Sequence, residues 1–186
     1  MNDLLRLRKL YGLKSVYRYA SVAGRKESSA EHTWICLVLA DYFLERLDLK
    51  LDREKVFQLL IYHDIVEIEA GDTPIHHREM RKGKQEREQK AIQNLGKALP
   101  GEMDRRVTRL FHEFEKRQTR EAQFAAIIDQ LDAMVHELDY PKDWKGWTER
   151  MVREFHEKDF QAFPYFAGLF EEIIEYLKKH KYLLPK

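Results

Sequence analysis

Apolar residues in this chain recur three and four positions apart in segment after segment, and nowhere do they alternate over a useful length. That spacing places side chains on one face of a helix and scatters them across a strand. Eight glycines and five prolines are spread over 186 residues, so few positions interrupt a helix and the elements should be long. The expected fold class is all-α, a compact bundle of six to eight helices. At this length one domain, residues 1–186, is expected.

Helices fit residues 3–13, 28–47, 52–70, 85–99, 101–117, 119–138 and 164–180. Ser28 and Glu31 have the spacing of a capping box. Gly71 suits a helix stop, and Pro164 suits a first turn. Residues 78–90 are strongly polar and read as a solvated face or loop. Trp144 and Trp147 fall in a short connection around Gly146. The final helix offers Phe166, Leu169, Phe170, Ile173, Ile174 and Leu177 as an apolar face that could join two copies.

The 33 Lys and Arg balance 32 Asp and Glu, which argues against a partner that is a nucleic-acid polymer or an acidic membrane surface. No stretch has the length of a membrane span. Three Trp, nine Tyr and ten Phe argue against disorder. The single cysteine, Cys36, excludes an internal disulfide framework and a multi-cysteine zinc site. It lies in an apolar run and reads as a small buried residue. A cytoplasmic setting is expected.

Of the eight histidines, His112, His156 and His180 stand beside charged residues and are expected at the surface, and His136 half-buried on its helix. His63-Asp64 differs, because it follows the apolar run 59–62. A buried charge is costly unless it is paired or bound to a metal. Glu67 follows four residues on, one helical turn away, and Asp72 follows the Gly71 turn. His32 lies just past the capping box beside an apolar stripe. Asp129 is embedded in aliphatics, and Asp132, three residues on, is a rival for the same direction. Two imidazoles and two carboxylates suit a borderline divalent metal such as Mn, Fe, Co, Ni or Zn better than Ca. His76-His77 could add a second ion but reads more simply as a loop pair.

The order His32, His63-Asp64, Asp129 resembles the H…HD…D motif of the HD-domain metal-dependent phosphohydrolases. The stretches 29–32 and 62–72 are similar to the branch that contains 5′-deoxynucleotidases, as is the context 122–131, which favours Asp129 over Asp132. The resemblance covers residues 18–140, leaving 141–186 as a helical extension. It implies that His32, His63, Asp64 and Asp129 bind one divalent ion: Mn, Co, Ni, Fe, Zn or Mg. It implies carboxylates beside the metal at Glu67 and Asp72, able to orient or deprotonate water or to protonate a leaving alkoxide. It implies a basic-aromatic pair for phosphate and sugar, for which Arg18 and Tyr19 are candidates, with Arg25 a second phosphate candidate. The implied substrate is a nucleoside 5′-monophosphate or similar small phosphomonoester, and the implied assembly is a homodimer. Alternatives are a pyrophosphohydrolase or phosphodiesterase on the same scaffold, or a non-catalytic nucleotide- or protein-binding module.

Overall fold

The computed structural model describes residues 3–185. The chain runs α1 (Asp3–Arg8), a 3-10 turn (Lys9–Ser15), β1 (Tyr17–Val22), β2 (Arg25–Ser28), α2 (Ser29–Arg46), α3 (Arg53–Tyr62) and α4 (Glu67–Ala70). It continues through α5 (Arg78–Arg81), α6 (Lys84–Ala98), α7 (Gly101–Lys116), α8 (Arg120–His136), α9 (Glu149–Val152), α10 (Lys158–Phe160) and α11 (Pro164–Lys179). The class is all-α, as the periodicity requires, with one two-stranded hairpin.

Helix α8 is the axis of the bundle. It is buried on nearly every side, through Phe124, Ala125, Ala126, Ile127, Ile128, Leu131 and Met134, and it packs against α2, α3, α7 and α11. A helix apolar all round belongs in an interior, which is why its polar residues Asp129, Gln130 and Asp132 require partners. The caps are local. Ser28 and Glu31 form a reciprocal capping box on α2, Asp52 accepts from Lys55 N at 3.0 Å, and Thr119 accepts from Ala122 N at 3.2 Å. Each satisfies an amide that the helix start leaves open.

Three expectations are corrected. The chain does form strands: β1 and β2 pair antiparallel with Val22 opposite Arg25. Their turn residues, Ala23 and Gly24, both have positive φ (46° and 82°), the requirement of a two-residue hairpin turn. Strand β1 mixes Tyr17, Tyr19, Ala20 and Val22 with Arg18 and Ser21, and β2 is Arg-Lys-Glu-Ser, so no apolar–polar alternation marks them. The 52–70 segment is not one helix. It stops at Tyr62, where His63 Nδ1 donates to Leu60 O at 2.7 Å and competes for the carbonyl that Asp64 N–H would use. Residues 78–90 form α5 and the start of α6 and are mostly exposed, the solvated face that their polarity suggested. The apolar face of α11 is internal: Phe166, Phe170, Ile173, Ile174 and Leu177 join the main core with Trp144, Phe160 and Phe163. The segment beyond residue 140 therefore completes the core.

The hairpin is latched by that later segment. Ser21 N and Oγ donate to Asp143 at 2.7 and 2.9 Å. His136 Nε2 donates to Ser21 O at 2.7 Å, and Ala23 N donates to Tyr140 Oη at 3.1 Å.

Candidate active site

His32 enters from the first turn of α2, His63 and Asp64 from the turn after α3, and Asp129 from the middle of α8. His32 Nε2 lies 3.2 Å from His63 Nε2 and 3.1 Å from Asp129 Oδ1. Asp64 Oδ2 lies 3.3 Å from His63 Nε2 and 3.8 Å from His32 Nε2. His63 Nε2 and Asp129 Oδ1 are 3.8 Å apart. Metal–donor bonds of about 2.1 Å set neighbouring donors about 3.0–3.5 Å apart in octahedral or tetrahedral arrangements. Three of these separations fall in that range and two, at 3.8 Å, lie just above it, so the donor set suits one small divalent ion with a slight closing of the carboxylates.

The hydrogen bonds behind the imidazoles give a second test of that fit. His63 Nδ1 donates to the Leu60 carbonyl at 2.7 Å. His32 Nδ1 donates to Asp132 Oδ2 at 2.5 Å. Both tautomers therefore leave bare Nε2 lone pairs 3.2 Å apart. Two lone pairs at that distance repel unless a cation lies between them, and an imidazole backed by a carboxylate or carbonyl is the usual metal-facing arrangement. The surroundings also attract positive charge. Burial and Arg18 oppose a charged His32, yet the hydrogen-bonded carboxylates of Asp129 and Asp132 outweigh them and hold its pKa above the ordinary value.

Asp132 thus sits behind His32 rather than beside Asp129, and it is the residue whose place the pattern left open. Two other groups approach His32. Cys36 Sγ is 3.7 and 3.5 Å from the two ring nitrogens, so it packs over the ring. Burial pushes its thiol up to about 11, which keeps it from being a thiolate. Glu27 lies on the Asp132 side.

The imidazole side chains are sealed (0% and 1% exposed), whereas Asp64 and Asp129 keep 14% and 22% exposure. The two carboxylates floor a cavity of about 260 Å³. Arg18, on β1, reaches in and donates from Nη1 to Asp64 Oδ2 at 3.1 Å. Its Nε is buried without a hydrogen-bond partner, 3.6 Å from Glu27 Oε2. Burial opposes the Asp64 charge, but His63 and Arg18 prevail and hold that carboxyl well below the usual range.

Glu67 begins α4 and accepts from Ser29 Oγ at 2.7 Å. Burial, then the Asp64 charge, raises its pKa well above the usual carboxylate value. Asp72 lies just past Gly71, whose φ of 72° turns the chain back toward the site. Its pKa is also raised, by burial first and Asp64 next. Both line the cavity, so the turn after α3 delivers Asp64, Glu67 and Asp72 to one space.

Tyr19 also lines it, with its ring edge-on to His76 at 4.7 Å. Arg25 does not: it is exposed and holds Glu31 through two contacts of 2.9 and 2.5 Å. His76 lines the cavity through ring contacts with Tyr19 and Trp147, while His77 is exposed.

His156 was expected at the surface and is buried, 7% exposed. It lies on a π-helical turn, Arg153–Glu157, which rotates it into the cavity wall. Its Nδ1 meets Gln130 Oε1 at 2.8 Å, and Gln130 Nε2 donates to Asp159 Oδ2 at 2.7 Å. Burial lowers its pKa to about 4, so the ring is neutral. Flanking Glu154 and Glu157 suggested solvent, and nothing local announces the extra residue in the turn.

A helical bundle that gathers two imidazoles and two carboxylates at the floor of a cleft, beside an arginine and two further carboxyls, has the donor set of a metal-dependent hydrolase. The chain belongs to the HD domain family, whose profile matches residues 10–163 and so extends past residue 140. It is 30% identical over 142 residues to the 5′-deoxynucleotidase HDDC2 of Xenopus laevis, covering 74% of this chain and 69% of that protein. The Danio rerio protein of the same name is 25% identical over 185 residues, covering 97% of this chain and 90% of its own. A predicted metal-dependent phosphohydrolase of Magnetospirillum magnetotacticum superposes with a TM-score of 0.88 at 29% identity, covering 98% of this chain and 94% of that one. An HD-domain phosphohydrolase of Listeria innocua, at 21% identity and a TM-score of 0.66, shares the fold. The protein is a metal-dependent phosphohydrolase.

Proposed function

We propose that the protein removes the phosphate from nucleoside 5′-monophosphates, with deoxynucleotides as the preferred class. The observation that carries this reading is the meeting of His32, His63, Asp64 and Asp129 with Arg18, Glu67 and Asp72 around one cavity. The relatives named 5′-deoxynucleotidase support the substrate class.

His32, His63, Asp64 and Asp129 would hold one divalent ion, of the set Mn, Co, Ni, Fe, Zn or Mg. When bound, it supplies Lewis-acid polarisation of a phosphate oxygen and acidifies a water. The chain does the rest. Arg18 binds the phosphoryl oxygens through the Nη end of its guanidinium, which counters charge developed on them. Glu67, whose carboxyl is pushed toward its protonated form by burial and by the Asp64 charge, accepts from Ser29 and is placed to pass a proton to the leaving 5′-oxygen. Asp72 orients the attacking water from the opposite end of the turn. Tyr19 packs against the sugar.

The test is phosphate release from a panel of ribo- and deoxynucleoside monophosphates with each metal in turn. Hydrolysis of deoxynucleoside 5′-monophosphates above ribonucleotides and diphosphates supports the reading. Release only from nucleoside diphosphates or cyclic esters replaces it with the pyrophosphohydrolase or phosphodiesterase alternative. That alternative draws on Arg81, Lys84 and Arg117, which also line the cavity, although Lys84 pairs with Glu88 at 3.0 Å and Arg117 with Asp159.

Among the described residues no helix is long and apolar enough to cross a membrane. A cytoplasmic homodimer belongs to the same proposal. Trp34, Val38 and Tyr42, spaced four apart on α2, are 65%, 49% and 52% exposed. Such a stripe matches itself across a two-fold axis. Light scattering at the elution peak should give twice the chain mass, and Val38→Glu should halve it.

A further inference from the structure

A chain of aromatic rings runs around the cavity from one side of the metal donors to the other. Tyr19 meets His76 with centroids 4.7 Å apart. His76 meets Trp147 at 5.3 Å. Trp147 stacks on His156 at 6.2 Å with 24° between planes. Both ends of the arc are anchored at the donors: Tyr19 follows Arg18, which holds Asp64, and His156 is bonded to Gln130, which follows Asp129. A group esterified to a phosphate held at the donors would border this arc, since its residues line the same cavity.

The polarity of His156 is fixed by residues behind it. Asp159, paired with Arg117, can only accept, so Gln130 must turn its amide N–H toward Asp159 at 2.7 Å. Its carbonyl oxygen then faces His156, whose Nδ1 carries the ring proton and donates at 2.8 Å. Nε2 is left as a bare acceptor, with no hydrogen-bond partner among the described residues, in a ring that lines the cavity. A neutral lone pair repels phosphate oxygens and accepts N–H. Because Nε2 opens to the cavity, a ligand N–H can reach it directly.

We propose that this arc is the nucleobase subsite, in which His156 Nε2 accepts a hydrogen bond from a base N–H while Trp147 and His76 provide its aromatic walls. The assignment rests on the phosphomonoesterase reading above and adds to it the part of the substrate that is discriminated. Flat apolar rings with one acceptor suit a base better than a sugar, which presents hydroxyls on several sides. The segment beyond residue 140 thus contributes recognition as well as core.

The experiment compares thymine, adenine and cytosine deoxynucleotides with forms whose N–H groups are replaced by N-methyl: N3-methylthymine, N6-dimethyladenine and N4-dimethylcytosine. Wild-type protein should prefer at least one parent over its methylated form by about tenfold in kcat/KM, the size of one hydrogen bond. His156→Phe should bring that ratio close to one, and His156→Gln, which keeps an acceptor, should restore part of it. A merely structural histidine would lower both substrates together and leave the ratio intact. Equal use of parent and methylated forms by wild-type protein, or an unchanged ratio in His156→Phe, overturns the proposal. A shift confined to 3′-deoxy analogues would assign the acceptor to the sugar and overturn it as well. The corresponding free nucleosides are titrated in parallel by tryptophan fluorescence. If no nucleotide is hydrolysed, the phosphatase reading falls, and these titrations still decide the subsite.

Discussion

Replacing Asp132 by Asn should weaken metal binding without abolishing it. Asp132 is 3% exposed, and its Oδ2 lies 2.5 Å from His32 Nδ1, so the bond is charge-assisted and shielded from water. An asparagine oxygen can still accept from Nδ1, which keeps the tautomer and the ring in place. What is lost is the negative charge that makes Nε2 a stronger donor. Removing such a partner typically costs 10- to 100-fold in metal affinity, or about 1.4–2.7 kcal/mol. Asp132→Ala removes the acceptor too. It should lie at the upper end of that range and lose a further 1–3 kcal/mol or so of fold stability from the orphaned buried N–H. Asp129→Ala, which deletes a donor that faces both imidazoles, should leave no measurable site. Competition of Mn or Co between the intact protein and a chromogenic chelator measures all three variants. Wild-type affinity in Asp132→Asn would refute the reasoning. Complete loss in Asp132→Asn with retention in Asp129→Ala would exchange the roles of the two carboxylates.

Glu67→Gln should keep the metal and near-normal substrate affinity while single-turnover hydrolysis falls about 100-fold or more, because a positioned acid is removed and the Ser29 bond can be kept. An unchanged rate would remove Glu67 from the chemistry, and loss of metal would make it a ligand. His156, neutral down to about pH 4 when folded, gains a proton near pH 6.5 when unfolded. Its contribution to stability is full above pH 6.5 and is lost as pH falls toward 4, by about 3 kcal/mol in total. Urea titrations at pH 7 and 4.5 should show a smaller drop for His156→Gln than for wild-type protein, and parallel drops would count against it. Asp143→Ala should cost about 2–3 kcal/mol in the same assay, because Ser21 N and Oγ lose a buried charged acceptor. A change under half a kcal/mol would mean the hairpin is held elsewhere.

What the sequence disclosed and what it hid divide along one physical line. His32, His63, Asp64 and Asp129 stood out because each is a polar group inside a local apolar pattern, and the structure gathers all four within hydrogen-bonding range. Helix periods were legible for the same reason. Asp132 carried the same local signature as Asp129, and only the position of His32, 100 residues away, separates them. The hairpin left no trace, because its strands are short without apolar–polar alternation and its turn is Ala23-Gly24 rather than Asn-Gly. His156 was misplaced because a single π-helical turn shifts the face that a 3.6-residue period assigns. The break after Tyr62 arises from a side-chain bond to Leu60 O that competes with the helix, a choice no spacing records.

The latch between hairpin and later segment sets an order of events during synthesis. Arg18 lies on a strand whose far end is held by His136, Tyr140 and Asp143, and the Ser21–Asp143 contact spans 122 residues. A growing chain that has released His32 and His63 still lacks both the fourth donor and the anchors of the arginine. Closing loops of this length is slow compared with forming the helices themselves. The site is therefore assembled last, from pieces made early and held apart. A nascent or truncated chain ending before residue 129 would carry the HD pair without an enzyme, and metal capture would mark the completion of the fold.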